Sequence, residues 1–143
     1  MSLSVEKLAT ECVLQGHPSD IAIHEAAQQG NVSALEAELR TGVSIDLPGS
    51  QGYTPLIYAA ASRQLAAVKF LVEHKASVDK TEFYGLTALA ISCKEGHVDV
   101  ANFLLGAGAE LDKRDNDGAT PLMWSVLMRH TNCVEMLLKR GAE

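Results

Sequence analysis

A chain of 143 residues, 47% of them hydrophobic and 21% charged, holds enough apolar material for one packed domain, and excludes wholesale disorder, collagen-like repeats and a disulfide scaffold. Eighteen acidic against twelve basic side chains leave a formal charge of −6, which works against a phosphate backbone as partner. Cys12, Cys93 and Cys133 form no C-x-x-C pair and read as reduced, buried thiols of a cytoplasmic or nuclear protein; no apolar run reaches bilayer length, and Met1–Lys7 has no signal-peptide pattern.

In chain order, Val5, Leu8, Ala9, Cys12 and Val13 follow helical spacing after a Ser4 cap and stop at Gly16-His17-Pro18, so a capping helix is expected over 1–15. Beyond it the sequence repeats. Gly52-Tyr53-Thr54-Pro55-Leu56 returns as Gly85-Leu86-Thr87-Ala88-Leu89 and as Gly118-Ala119-Thr120-Pro121-Leu122, each 33 residues on, and a step back reaches Ile21-Ala22-Ile23-His24. Gly30-Asn31, Arg63-Gln64, Gly96-His97 and Arg129-His130 keep the same phase, as do Gly42, Lys75, Gly108 and Gly141. The units fall at 16–48, 49–81, 82–114 and 115–143, the first atypical and the last incomplete.

Within a unit, Thr54 can cap the helix that Pro55 opens, and Ala59 and Ala60 permit close approach of neighbouring helices. A second helix over Leu65 to Glu73 carries Val68, Leu71 and Val72 on one stripe, matched by Val100, Phe103 and Leu104. Phe70 and Phe103 read as core. Ser77-Val78-Asp79 and Glu110-Leu111-Asp112 then lead through polar segments to Gly85 and Gly118, as hairpin-like excursions.

The 33-residue period, the T-P-L motif, the Ala pair and the Gly-His turn resemble the ankyrin repeat, over residues 16–143. The resemblance implies an all-α helical solenoid of stacked helix-turn-helix units with hairpin-like finger loops. It also implies a non-catalytic protein–protein interaction module whose concave face and fingers bind a partner. Arg63, Arg129 and Lys75 stand where the family prefers glycine.

Other chemistry fails on spacing. Asp115-Asn116-Asp117-Gly118 would place a calcium loop's first ligand at Lys113 and its twelfth at Trp124. Gly106-Ala107-Gly108 lacks the third glycine and preceding strand of a dinucleotide loop. His24, His97 and His130 occupy turn landmarks, where hydrogen bonding explains them better than metal ligation or acid–base work. Neither a catalytic set nor a metal or cofactor is expected.

Five of the seven aromatic residues project toward the concave side: Tyr53, Phe83 and Tyr84 in fingers, Tyr58 and Trp124 on first helices. With Arg63, Lys94 and Arg114 they make the expected partner-binding set. Basic residues gather in fingers and first-helix ends while Glu36, Glu38, Glu73, Asp99 and Glu135 lie on second helices, so an acidic peptide with apolar anchors is the expected partner of a monomeric domain. Two alternatives are a regulatory or substrate-recruiting part of a larger enzyme and, weaker, a binder of short single-stranded RNA or nucleotide. The apolar run Met123, Trp124, Val126, Leu127 and Met128 is expected to be covered by a further unit, since the chain stops where another finger should begin.

Overall fold

The computed structural model describes residues 19–143 as helix pairs: α1 (Ser19–Gln29) with α2 (Val32–Arg40), α3 (Pro55–Ala61) with α4 (Leu65–Glu73), α5 (Ala88–Glu95) with α6 (Val98–Gly106), and α7 (Pro121–Leu127) with α8 (Thr131–Lys139). A 3-10 turn, Ser50–Gly52, precedes α3, and no strand occurs among the described residues. The fold is the all-α solenoid expected. The capping helix expected over 1–15, with Cys12, lies outside the described residues.

Threonine starts the first helix in three pairs. The hydroxyls of Thr54, Thr87 and Thr120 accept the N–H groups of Ile57, Ala90 and Met123 at 3.2, 3.1 and 3.3 Å. Each removes one free donor of a helix start, and Pro55 and Pro121 at the first position have no donor to lose.

The first helices form one row, α1 on α3 on α5 on α7, and the second helices another, α2 on α4 on α6 on α8. Ala26, Ala27, Ala59, Ala60, Ala88 and Ala90 are buried in the first row, where small side chains let backbones approach. Leu71, Leu104 and Leu137, spaced by 33, are fully buried in the second. Phe70 and Phe103 correct the expectation of core placement. Both are half-buried: Phe70 stacks on His74 at 4.0 Å, and the Lys69 ammonium lies 5.8 Å from the Phe103 ring. Both rings pack against the buried core without being enclosed by it.

Successive units are tied by polar brackets at the same register. Gln64 Nε2 donates to the Gln28 carbonyl at 3.2 Å and His97 Nε2 to the Ala61 carbonyl at 3.1 Å. Asp46 accepts the backbone N–H and the hydroxyl of Ser77, Asp79 the N–H of Glu110, and Asp112 the N–H of Glu143. Arg63, Lys75 and Arg129 adopt φ of 55°, 73° and 61°, the left-handed region that their glycine-like positions demand, and Gln51 at 58° joins them.

Candidate functional site

Each finger is pinned at its base. Gly49, Glu82 and Asp115 donate their N–H groups to the carbonyls of Tyr53, Leu86 and Ala119 at 2.8–3.0 Å, so three hairpin-like loops share one geometry. Glu82, 5% exposed, accepts the N–H groups of Tyr84 and Leu86 through one carboxylate oxygen. Asp115 does the same for Asp117 and Ala119 one unit later. Where Gly49 lacks a side chain, His24 occupies the space and its Nε2 donates to the Leu47 carbonyl at 2.6 Å.

Neighbouring fingers hold one another. The Phe83 N–H donates to Gln51, the Asn116 N–H to Tyr84, and the Asn116 amide to the Phe83 carbonyl, all at 3.0 Å. The Phe83 ring lies against Gly52, where a β-carbon would come within 2.7 Å of it. Phe83 and Tyr84 are nevertheless 72% and 64% exposed, so two aromatic side chains stand in solvent on a loop whose backbone is fixed.

The other predicted residues are engaged within the molecule. Tyr58 is half-buried, its ring 5.4 Å from His24 and 5.2 Å from Tyr53, which makes an aromatic row from α1 across α3 to a finger. Trp124, half-buried on α7, donates its indole N–H to Asp115 at 2.8 Å and carries the Lys94 ammonium 5.0 Å above its ring. The exposed Arg114 donates to the Gly118 carbonyl at 3.0 Å, and Arg63 pairs with Asp99 of α6 at 3.3 Å. These contacts place fingers and first helices on the same side.

Burial first, then the carboxylates of Glu82 and Glu95 and the neighbouring Tyr58, push the Tyr53 phenol above its usual value of 10.0. The surroundings of Tyr53 are therefore locally negative, while Lys94, on the Trp124 ring, has no ion-pair partner among the described residues. Burial would raise Asp115, but donation from Ala119, the Trp124 indole and Asp117 outweighs it and holds the carboxyl below its usual 3.8. Among the described residues no group of three or more His, Cys, Asp or Glu is arranged to hold a metal ion. Cys93 and Cys133 are free and buried, and hydrogen bonding between them together with burial raises the Cys93 thiol far above the usual range.

A family model described as ankyrin repeats (3 copies) matches residues 4–82 and 77–143. The chain belongs to the ankyrin repeat family. Ankyrin-repeat relatives include the human "DNA-binding protein RFXANK", 39% identical over 54 residues (37% of this chain, 21% of that one). "Ankyrin repeat domain-containing protein oryK" of Aspergillus oryzae is 40% identical over 50 residues (35% and 8%), and human "Ankyrin repeat family A protein 2" 33% over 58 (41% and 18%). The matched part thus spans about a fifth or less of each relative's length. Ankyrin repeats mediate protein–protein interaction, and no helix among the described residues is long and apolar enough to cross a membrane.

Sequence reasoning missed Glu82 and Asp115 as keystones of the fingers. Their spacing of 33 was the available signal, but a Glu and an Asp read as solvated charges until the backbone N–H groups they accept are located. Gln51 in the left-handed region had no glycine-like neighbour in register to announce it.

Proposed function

We propose that this ankyrin domain is a non-catalytic binding module that holds a segment of a partner protein between its fingers and its first helices, on the concave side. The rigid, exposed pair Phe83 and Tyr84 carries the reading. A large aromatic on a pre-ordered backbone loses little conformational entropy when a partner covers it, the property of residues that dominate interfaces. Tyr53, Tyr58 and Trp124 line the floor behind the pair, and Lys94 supplies local positive charge for an acidic element of the partner. Arg63 and Arg114 enter the reading as groups that would exchange an internal bond for one to the partner. The free buried thiols support a reducing, cytoplasmic setting.

A photo-crosslinking amino acid placed at Tyr84, and as a control at Glu135 on the second-helix row, tests this in cell extract. Crosslinks to protein at Tyr84 and few at Glu135 are expected; crosslinks confined to Glu135 overturn the reading. The name of one relative mentions DNA, but a charge of −6 disfavours direct phosphate contact here. Crosslinks to nucleic acid at Tyr84, lost steeply as salt rises, would instead support the stacking alternative.

A further inference from the structure

The 33-residue register divides the exposed apolar side chains of the fourth unit into two sets. Met123 and Val126, 46% and 58% exposed, correspond to Ile57 and Ala90 and to Ala60 and Cys93, all buried to 4% or less where the next unit packs on them. That set is a stacking surface. Leu127 and Met128, 68% and 45% exposed, belong to a different one. Their positions in the earlier units are Gln28, Ala61 and Lys94, and Gln29, Ser62 and Glu95, all exposed or half-exposed even with a following unit in place. Stacking therefore covers these positions only in part, and leaves surface at Leu127 and Met128 that it does not account for. Beside them on the first-helix row lie Trp124 and, from the preceding unit, Lys94, whose ammonium rests on the Trp124 ring. Among the described residues Lys94 has no ion-pair partner.

We infer that Leu127, Met128 and the Trp124 ring form the apolar end of the binding face, which accepts a peptide segment carrying two apolar side chains next to a carboxylate, the carboxylate on Lys94. This deepens the function proposed above and rests on it. The opposite end of the row is polar, with Glu25, Gln28 and Gln29 exposed, so the face has a direction: the partner's apolar anchors lie over α7 and its polar continuation runs toward α1. Charge complementarity selects the peptide. A cation seated on an indole face keeps part of its electrostatic field for a carboxylate and gives it a fixed position.

A phage-displayed library of random dodecapeptides, selected on the full chain, is the probe, with the strongest binder synthesised and titrated by fluorescence anisotropy. Enrichment of paired apolar residues beside Asp or Glu is expected. Leu127→Gln with Met128→Glu should weaken binding at least about tenfold. Lys94→Glu should do likewise and be rescued by a peptide with Lys in place of its acid. Met123→Glu with Val126→Lys should leave affinity unchanged. Circular dichroism melts confirm that each variant folds, which their exposure allows. Loss of binding in Tyr84→Ala with none in the Leu127/Met128 variant overturns this inference and leaves the broader reading intact. Loss in the Met123/Val126 variant alone places the peptide on the stacking surface and overturns it too. Recovery of no peptide, or binding altered solely by Glu135→Arg, overturns both.

Discussion

Arg129 sits at φ 61° in the turn between α7 and α8, at the position that Gly96 and Gly30 occupy in other units. A side chain in the left-handed region crowds its own backbone at a cost of about 1 kcal/mol, so Arg129→Gly should stabilise the domain by about 0.5–1 kcal/mol in urea titrations despite the looser unfolded chain. Gly96→Ala runs the other way: φ is +78° and the new β-carbon would come within 2.6 Å of His130 Nδ1, so a loss of more than about 1 kcal/mol is expected. Asp115 adds a pH dependence. Its carboxyl is held below 3.8 in the folded state, so its stabilisation is fully present above the unfolded value and is lost as pH falls through the lower folded one. The difference in melting temperature between the parent and Asp115→Asn should be constant from pH 5 to 7 and shrink below about pH 4. An unchanged difference at pH 3 would show that the charge contributes nothing. The finger glycines and the arginines in glycine-like positions were legible in the sequence because backbone conformation follows from local sterics; the partners of Asp115 were not, since a carboxylate's role depends on which donors the folded chain brings to it.

Helix starts are local, and their energetics follow from neighbouring residues. The Thr87 hydroxyl caps α5 through the Ala90 N–H, so Thr87→Ala should cost about 1 kcal/mol, more than a surface Thr→Ala such as Thr131→Ala; equal losses would remove the cap from the account. Packing between helices is less local. Ala60 on α3 is fully buried against the following unit, and Ala60→Leu should destabilise by about 1–3 kcal/mol through overpacking, although leucine is the more hydrophobic residue. A gain in stability would show that the first-helix row is loosely packed. The alanine pairs announced close approach in the sequence. Phe70 and Phe103 did not announce that they are only partly buried, because periodicity gives the direction in which a side chain points and not how completely its neighbours enclose it.

For the whole molecule, stability is a sum over units and nearest-neighbour contacts. Leu71, Leu104 and Leu137 are equivalent by register and each fully buried, but Leu137 has a neighbouring unit on one side only among the described residues. Truncation to alanine should cost about 2–5 kcal/mol at Leu71 and Leu104 and fall at the lower end at Leu137, measured by chemical denaturation of the same chain. Identical losses at all three would mean that the stack unfolds as if each unit were equally supported. Long-range packing of this kind also explains the two thiols: Cys93 and Cys133, forty residues apart in sequence, are both buried and close enough to shift one another's titration because adjacent units stack.

The sequence by itself determined the period, the helix pairs with their caps and turns, the family, and which positions face each row. These depend on residues a few apart, or on identical chemistry returning every 33 residues. Only the tertiary structure decided which of the candidate binding residues stand free. Arg63 meets Asp99, Trp124 meets Asp115 and Lys94, and Tyr58 meets His24 and Tyr53, while Phe83 and Tyr84 remain in solvent. The meetings of Arg63 with Asp99, Lys94 with Trp124 and His24 with Tyr58 join different units through stacking, and those of Trp124 with Asp115 and Tyr58 with Tyr53 join a first helix to the finger before it; neither kind leaves a mark in the spacing of the residues.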